Sequence, residues 1–69
     1  MNPKQIIDEL LSAIEESIGV AGSAGAPAGV LYSAFMSTGL SLELFNKLLD
    51  ILVAQGKIRK SGHLLFINK

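Results

Sequence analysis

A chain of 69 residues, half of them apolar, with six basic and six acidic side chains and no cysteine, has room for one domain around one core and none for a second. The absence of cysteine excludes disulfides, redox chemistry and thiolate metal sites, and it fits the reducing cytoplasm expected as the location. The net charge of zero hides an asymmetry: residues 1–50 carry Asp8, Glu9, Glu15, Glu16, Glu43 and Asp50 against Lys4 and Lys47, a balance of −4, and residues 51–69 carry Lys57, Arg59, Lys60 and Lys69 with no acid, a balance of +4.

The first element is an amphipathic helix over residues 3–18. Asn2 is suited to the N-cap, Pro3 to the first helical position, and Gln5 completes a variant of the capping box. At 100° per residue, Ile6, Ile7, Leu10, Leu11, Ile14 and Ile18 fall within an arc of about 140°, with Asp8, Glu9, Glu15 and Glu16 on the solvated side. Four acids in the first twenty residues also argue against a secretory signal.

No charge occurs from Ser17 to Leu42, a span long enough to cross a bilayer. Pro27, the interspersed glycines and several Ser and Thr make it too weakly hydrophobic for insertion, and the Gly25-Ala-Pro-Ala-Gly29 spacing of small residues is read as a connector rather than as a membrane contact. Residues 19–29 are expected to be a Gly/Ala-rich loop, with at most a short extended piece around Ala24 to Ala26, since Pro27 disfavours helix at the residue before it. Lacking a Gly-Lys-Ser/Thr ending and a preceding strand, this loop is not a phosphate cradle.

A short second helix is expected over residues 30–37, with Val30, Leu31, Ala34 and Phe35 on one face and Tyr32 and Met36 at its edges. Thr38-Gly39-Leu40 makes a turn. Ser41 then caps a third helix over residues 42–55, with Glu43 favourably placed in its first turn and Gly56 as its stop. Residues 57–68 change period and read as a β-hairpin around Ser61-Gly62. That turn places Ile58 opposite Leu65, with Ile58, Leu65 and Ile67 on one face and Arg59, Leu64 and Phe66 on the other.

From Gly39 through the Ser-capped helix to the Leu-x-x-x-Gly-Lys-Ile ending and the basic hairpin at His63, the chain resembles the winged helix-turn-helix superfamily. The resemblance spans almost the whole sequence. It implies an α+β, mainly helical fold of three helices and a C-terminal β-hairpin wing, in one domain. In members that bind DNA the third helix lies in the major groove and the wing touches the backbone. The resemblance therefore implies groove contacts from Ser41, Asn46 and Lys47, and phosphate contacts from Lys57, Arg59, Lys60 and His63, on double-stranded DNA. The third-helix face is a poor electrostatic match, because Glu43 and Asp50 outweigh Lys47 and DNA affinity comes largely from phosphate neutralisation. The wing cations serve equally well to protect an exposed strand from edge pairing.

The alternative is a protein-interaction or dimerisation module. The third helix carries apolar residues over about 200°, more than one small core requires, so Leu44, Ile51, Leu64 and Phe66 are expected to face a partner, such as a second copy. A 69-residue core leaves little stability to spare, and self-association would supplement it. Enzymatic activity is not expected: the carboxylates lie on helix surfaces, and His63 has no second histidine or cysteine with which to hold a metal. No cofactor is implied.

Overall fold

The computed structural model describes residues 3–68. In chain order it contains α1 (Pro3–Ala21), a 3-10 turn (Gly22–Ala24), β1 (Ala26–Pro27), α2 (Ala28–Phe35), a second 3-10 turn (Met36–Thr38), α3 (Leu42–Ala54), β2 (Ile58–Ser61) and β3 (Leu64–Ile67). The fold is α+β and mainly helical, with one antiparallel sheet of order β1-β3-β2. The expected Asn2 cap and the cation at Lys69 lie outside the described residues.

Burial grows along α1 from its N-terminal end. Ile6 and Ile7 are exposed, Leu10 and Leu11 half-buried, and Ile14 and Ile18 fully enclosed. Ile7 stands on the same arc as Ile14 and Ile18, so its exposure means that the first two turns run past the core. At the other end the helix continues to Ala21 rather than stopping at residue 18. Packing decides this: Ala21 lies against the core. Such contacts outweigh the roughly 1 kcal/mol that a helical glycine costs.

The stretch expected as a loop over residues 19–29 is therefore mostly structured. Pro27 keeps Ala26 extended, and the short strand finds a partner distant in sequence, with Ala26 opposite Leu65 and Pro27 opposite Leu64. Pro27 has no N–H to give and stands on an edge strand, where that costs least. Ala28 then donates its backbone N–H to the His63 carbonyl at 2.8 Å.

Starting at Ala28, two residues earlier than expected, α2 turns a different face inward. Ala28, Leu31, Tyr32 and Phe35 pack on the core, whereas Val30 and Ala34 point to solvent. The aromatic rings decide the face. Tyr32 and Phe45 have centroids 5.3 Å apart, Phe35 and Phe45 6.4 Å, and the Tyr32 hydroxyl donates to the Leu40 carbonyl at 3.2 Å.

The turn into α3 uses Gly39 at φ 89°. Ser41 caps α3, its hydroxyl accepting from the Leu44 N–H at 3.1 Å. At the far end Gly56 takes φ 74°, Lys57 N–H donates to the Leu52 carbonyl and Gly56 N–H to the Val53 carbonyl, each at 3.0 Å. This pair of bonds is a Schellman closure. Between these ends α3 buries Phe45, Leu48, Leu49 and Leu52. With Ile14, Ile18, Ala26, Leu31, Leu40, Ile58 and Leu65 they form one core, and no polar or charged side chain among the described residues is buried in it.

The hairpin register corrects the expectation. Ile58 faces Ile67, Arg59 faces Phe66, Lys60 faces Leu65 and Ser61 faces Leu64. The loop is thus Gly62-His63, not Ser61-Gly62. Gly62 has φ 61° and no other residue type takes positive φ among the described residues, which is the arrangement of a II′ turn with glycine at its first central position. Moving the partner by two positions preserves the faces, so Ile58 and Leu65 still meet the core.

Candidate nucleic-acid interface

The ring contacts of Tyr32 and Phe35 with Phe45 hold α2 against α3 and leave the opposite side of α3 to solvent. That side carries Glu43, Asn46, Lys47 and Asp50, all exposed. The Lys47 ammonium lies 3.6 Å from the Glu43 carboxylate, one turn earlier, with both side chains largely exposed. Such a pair adds little stability, but it partly neutralises the only cation of this arc. Asn46 carries a free amide on the same arc, and its two-sided donor and acceptor geometry is the kind that pairs with an adenine edge. Ser41 lies at the N-terminal end of the arc, where its oxygen is committed to the cap.

The hairpin brings its cations to a sheet edge without making them converge. Lys57 follows the Schellman closure directly, its carbonyl accepting from the Asn68 N–H at 3.0 Å. Arg59 and Lys60 alternate along β2, the outer strand of the sheet, and so project from opposite faces. Lys60 shares the face of Ile58 but stays exposed beyond the core. Arg59 shares the face of its cross-strand partner Phe66, with the guanidinium carbon 4.3 Å from the ring centroid. His63 is exposed in the turn, and its carbonyl is bonded to Ala28.

This last bond helps to fix the hairpin tip. Because β1 pairs with Leu64 and Leu65, the β3 residues nearest the turn, the hairpin tip is anchored to the start of α2 rather than projecting beyond the sheet. Of the residues expected to face a partner, Leu44 and Ile51 are 38% and 39% exposed. Leu64 and Phe66 are only half-buried surface, since the backbone of Gly25 lies over them: a Cβ there would come 2.7 Å from Phe66 Cζ and 3.4 Å from Leu64 Cβ.

Residue-by-residue reading missed the Arg59–Phe66 stack, because the pair follows only from the true turn. A Gly-x dipeptide at positions 62–63 is the signal that could have located it. No family model, curated protein or solved structure matches the chain. No helix among the described residues is long and apolar enough to cross a membrane.

Proposed function

We propose that the chain is a small DNA-binding domain of winged-helix type, probing the major groove with α3 and holding flanking phosphates with the outer hairpin strand. The order helix, strand, helix, helix, strand, strand, with β1 completing a sheet against the hairpin, supports the winged-helix reading. The observation that carries the functional reading is that exposed Asn46 and Lys47 stand on the solvent side of α3 and that an acid-free hairpin with exposed Lys57, Arg59 and Lys60 follows the helix stop. Asn46 is the residue for base reading, and Lys57 and Lys60 are the cations free to neutralise phosphate. With so few cations the binding is weak and strongly salt-dependent.

Fluorescence anisotropy with mixed-sequence duplexes at low and moderate salt tests this. Binding is expected to fall with salt with a log-log slope of about −2 to −3, and each of Lys57→Ala and Lys60→Ala to flatten the slope by about one. No binding at low salt, or binding indifferent to both lysines, removes the proposal.

A second reading, assembly through α3, is favoured by one specific observation. Leu44 and Ile51 remain exposed although the core on that helix is already complete. They stand seven residues apart on one flank, so two copies packed antiparallel about a two-fold axis would set Leu44 of each against Ile51 of the other. The two readings compete for α3, since helices packed on each other lie about 8–10 Å apart, whereas the recognition helices of a helix-turn-helix dimer reach half-sites about 34 Å apart.

A further inference from the structure

A cleft of about 390 Å³ lies between the C-terminal end of α1, the 3-10 turn at Gly22–Ala24 and the outer face of the hairpin. This is within the size range of small-molecule sites, roughly 300–1,000 Å³. Its room comes from residues without side chains. Gly19 and Gly22 both line it, and a Cβ at Gly22 would meet nothing within 4 Å.

The chemistry of the walls is one-sided. Among the described residues Arg59 is the single charged one lining the cleft, and its guanidinium sits 4.3 Å over the Phe66 ring. It has no carboxylate partner, for the ion pair of the described residues joins Lys47 to Glu43. A guanidinium resting on a ring keeps its N–H donors at its rim, in the planar fork that matches a carboxylate. Ser23 adds a hydroxyl for which no protein partner is found among the described residues, Asn68 lines the cleft with its amide nitrogen donating to the Gly56 carbonyl, and the Phe66 side chain supplies apolar wall. Among the described residues no acid lines the cleft. One positive charge suits one negative charge, and the apolar wall suits a flat hydrocarbon body.

We infer that this cleft binds a small organic monoanion of the aromatic carboxylate type, the carboxylate meeting Arg59 and Ser23 and the ring lying against the edge of Phe66. The inference is independent of the DNA-binding proposal. A bound ligand would join the end of α1 to the hairpin and occupy Arg59.

Titration of the ¹⁵N-labelled protein with benzoate, followed by two-dimensional NMR, tests it, with benzamide and benzylamine as neutral and cationic controls of the same size. Saturable shifts are expected at the amides of Gly19, Gly22 and Ser23 and at Arg59 Nε, with a dissociation constant on the order of 1 mM, the scale for so small a ligand in a half-open site. Benzamide and benzylamine are expected to bind at least about tenfold more weakly, and Arg59→Gln to cost benzoate a similar factor, through loss of the charge-assisted bonds. Gly19→Met, which fills the cleft from a helical position with ordinary room at its Cβ, should abolish the shifts while leaving the rest of the spectrum in place. Benzamide binding as well as benzoate, undiminished binding by the Arg59 variant, or shifts centred on other residues would each overturn the inference. So would a DNA duplex shifting these amides where benzoate does not, since the occupant would then be a backbone phosphate.

Discussion

Gly25 stands at φ 82° and ψ 152°, a backbone region open in practice only to glycine, and its missing Cβ is where the Phe66 ring lies. Conformation and packing thus demand the same residue for independent reasons. Forcing a side chain into such a backbone region costs about 1–3 kcal/mol, and the ring must also move, so Gly25→Ala is expected to destabilise by at least about 2 kcal/mol. In a domain of this size that lowers the melting temperature by roughly 10 °C, measurable by circular dichroism. Gly29 makes the contrast. It is a helical residue of α2 with nothing near its Cβ position, so Gly29→Ala should stabilise by about 0.5–1 kcal/mol. If both variants melt alike, the account of Gly25 is wrong. Nothing in the sequence separates these two glycines; both stand in one Gly/Ala-rich run.

At the scale of elements, α3 is the part most legible in the sequence. The Ser41 cap and the Gly56 stop are local chemistry, set by side chains and φ values within a few residues, and the amphipathic period between them names the buried face. Ser41→Ala should cost about 1 kcal/mol in urea unfolding, with the slope unchanged, and Ser41→Asp should recover most of it, an outcome not expected if the hydroxyl mattered only as a surface group. α2 was less legible, with Val30 and Ala34 expected inside and found outside. Eight residues hold about two turns, too few for periodicity to select a face, and the choice fell to the rings of Tyr32 and Phe35 against Phe45. The hairpin was intermediate. Its existence and its two faces were readable, and its register was not, because Ser61-Gly62 and Gly62-His63 both offer a glycine to a two-residue turn.

For the whole molecule, the decisive feature is that β1, two residues long, joins α1 and α2 to the far end of the chain through β3. It closes the sheet over the core and anchors the hairpin tip. The apolar surface left outside is spread over several elements, and on α3 it includes a flank of Leu44 and Ile51. If that flank joins two copies, sedimentation at rising concentration should show an average mass climbing from 7.3 kDa toward twice that value, and melting should become concentration-dependent. Ile51→Glu should keep the protein monomeric with little change in its fold, since the side chain is already partly in water. A parent protein that stays monomeric throughout would eliminate assembly through α3.

The candidate site divides along the same line as the fold. Asn46, Lys47 and the hairpin cations could be named from the sequence because helical phase and strand alternation depend on near neighbours. The sequence alone therefore determined the capped third helix, the amphipathic first helix, the hairpin and the charge asymmetry along the chain. Tertiary structure decided the pairing of β1 with β3, the inward face of α2, the register that stacks Arg59 on Phe66, and the cleft beside that stack. Each of these depends on contacts between residues far apart in the chain, where many arrangements satisfy local preference and only close packing around a shared core selects among them.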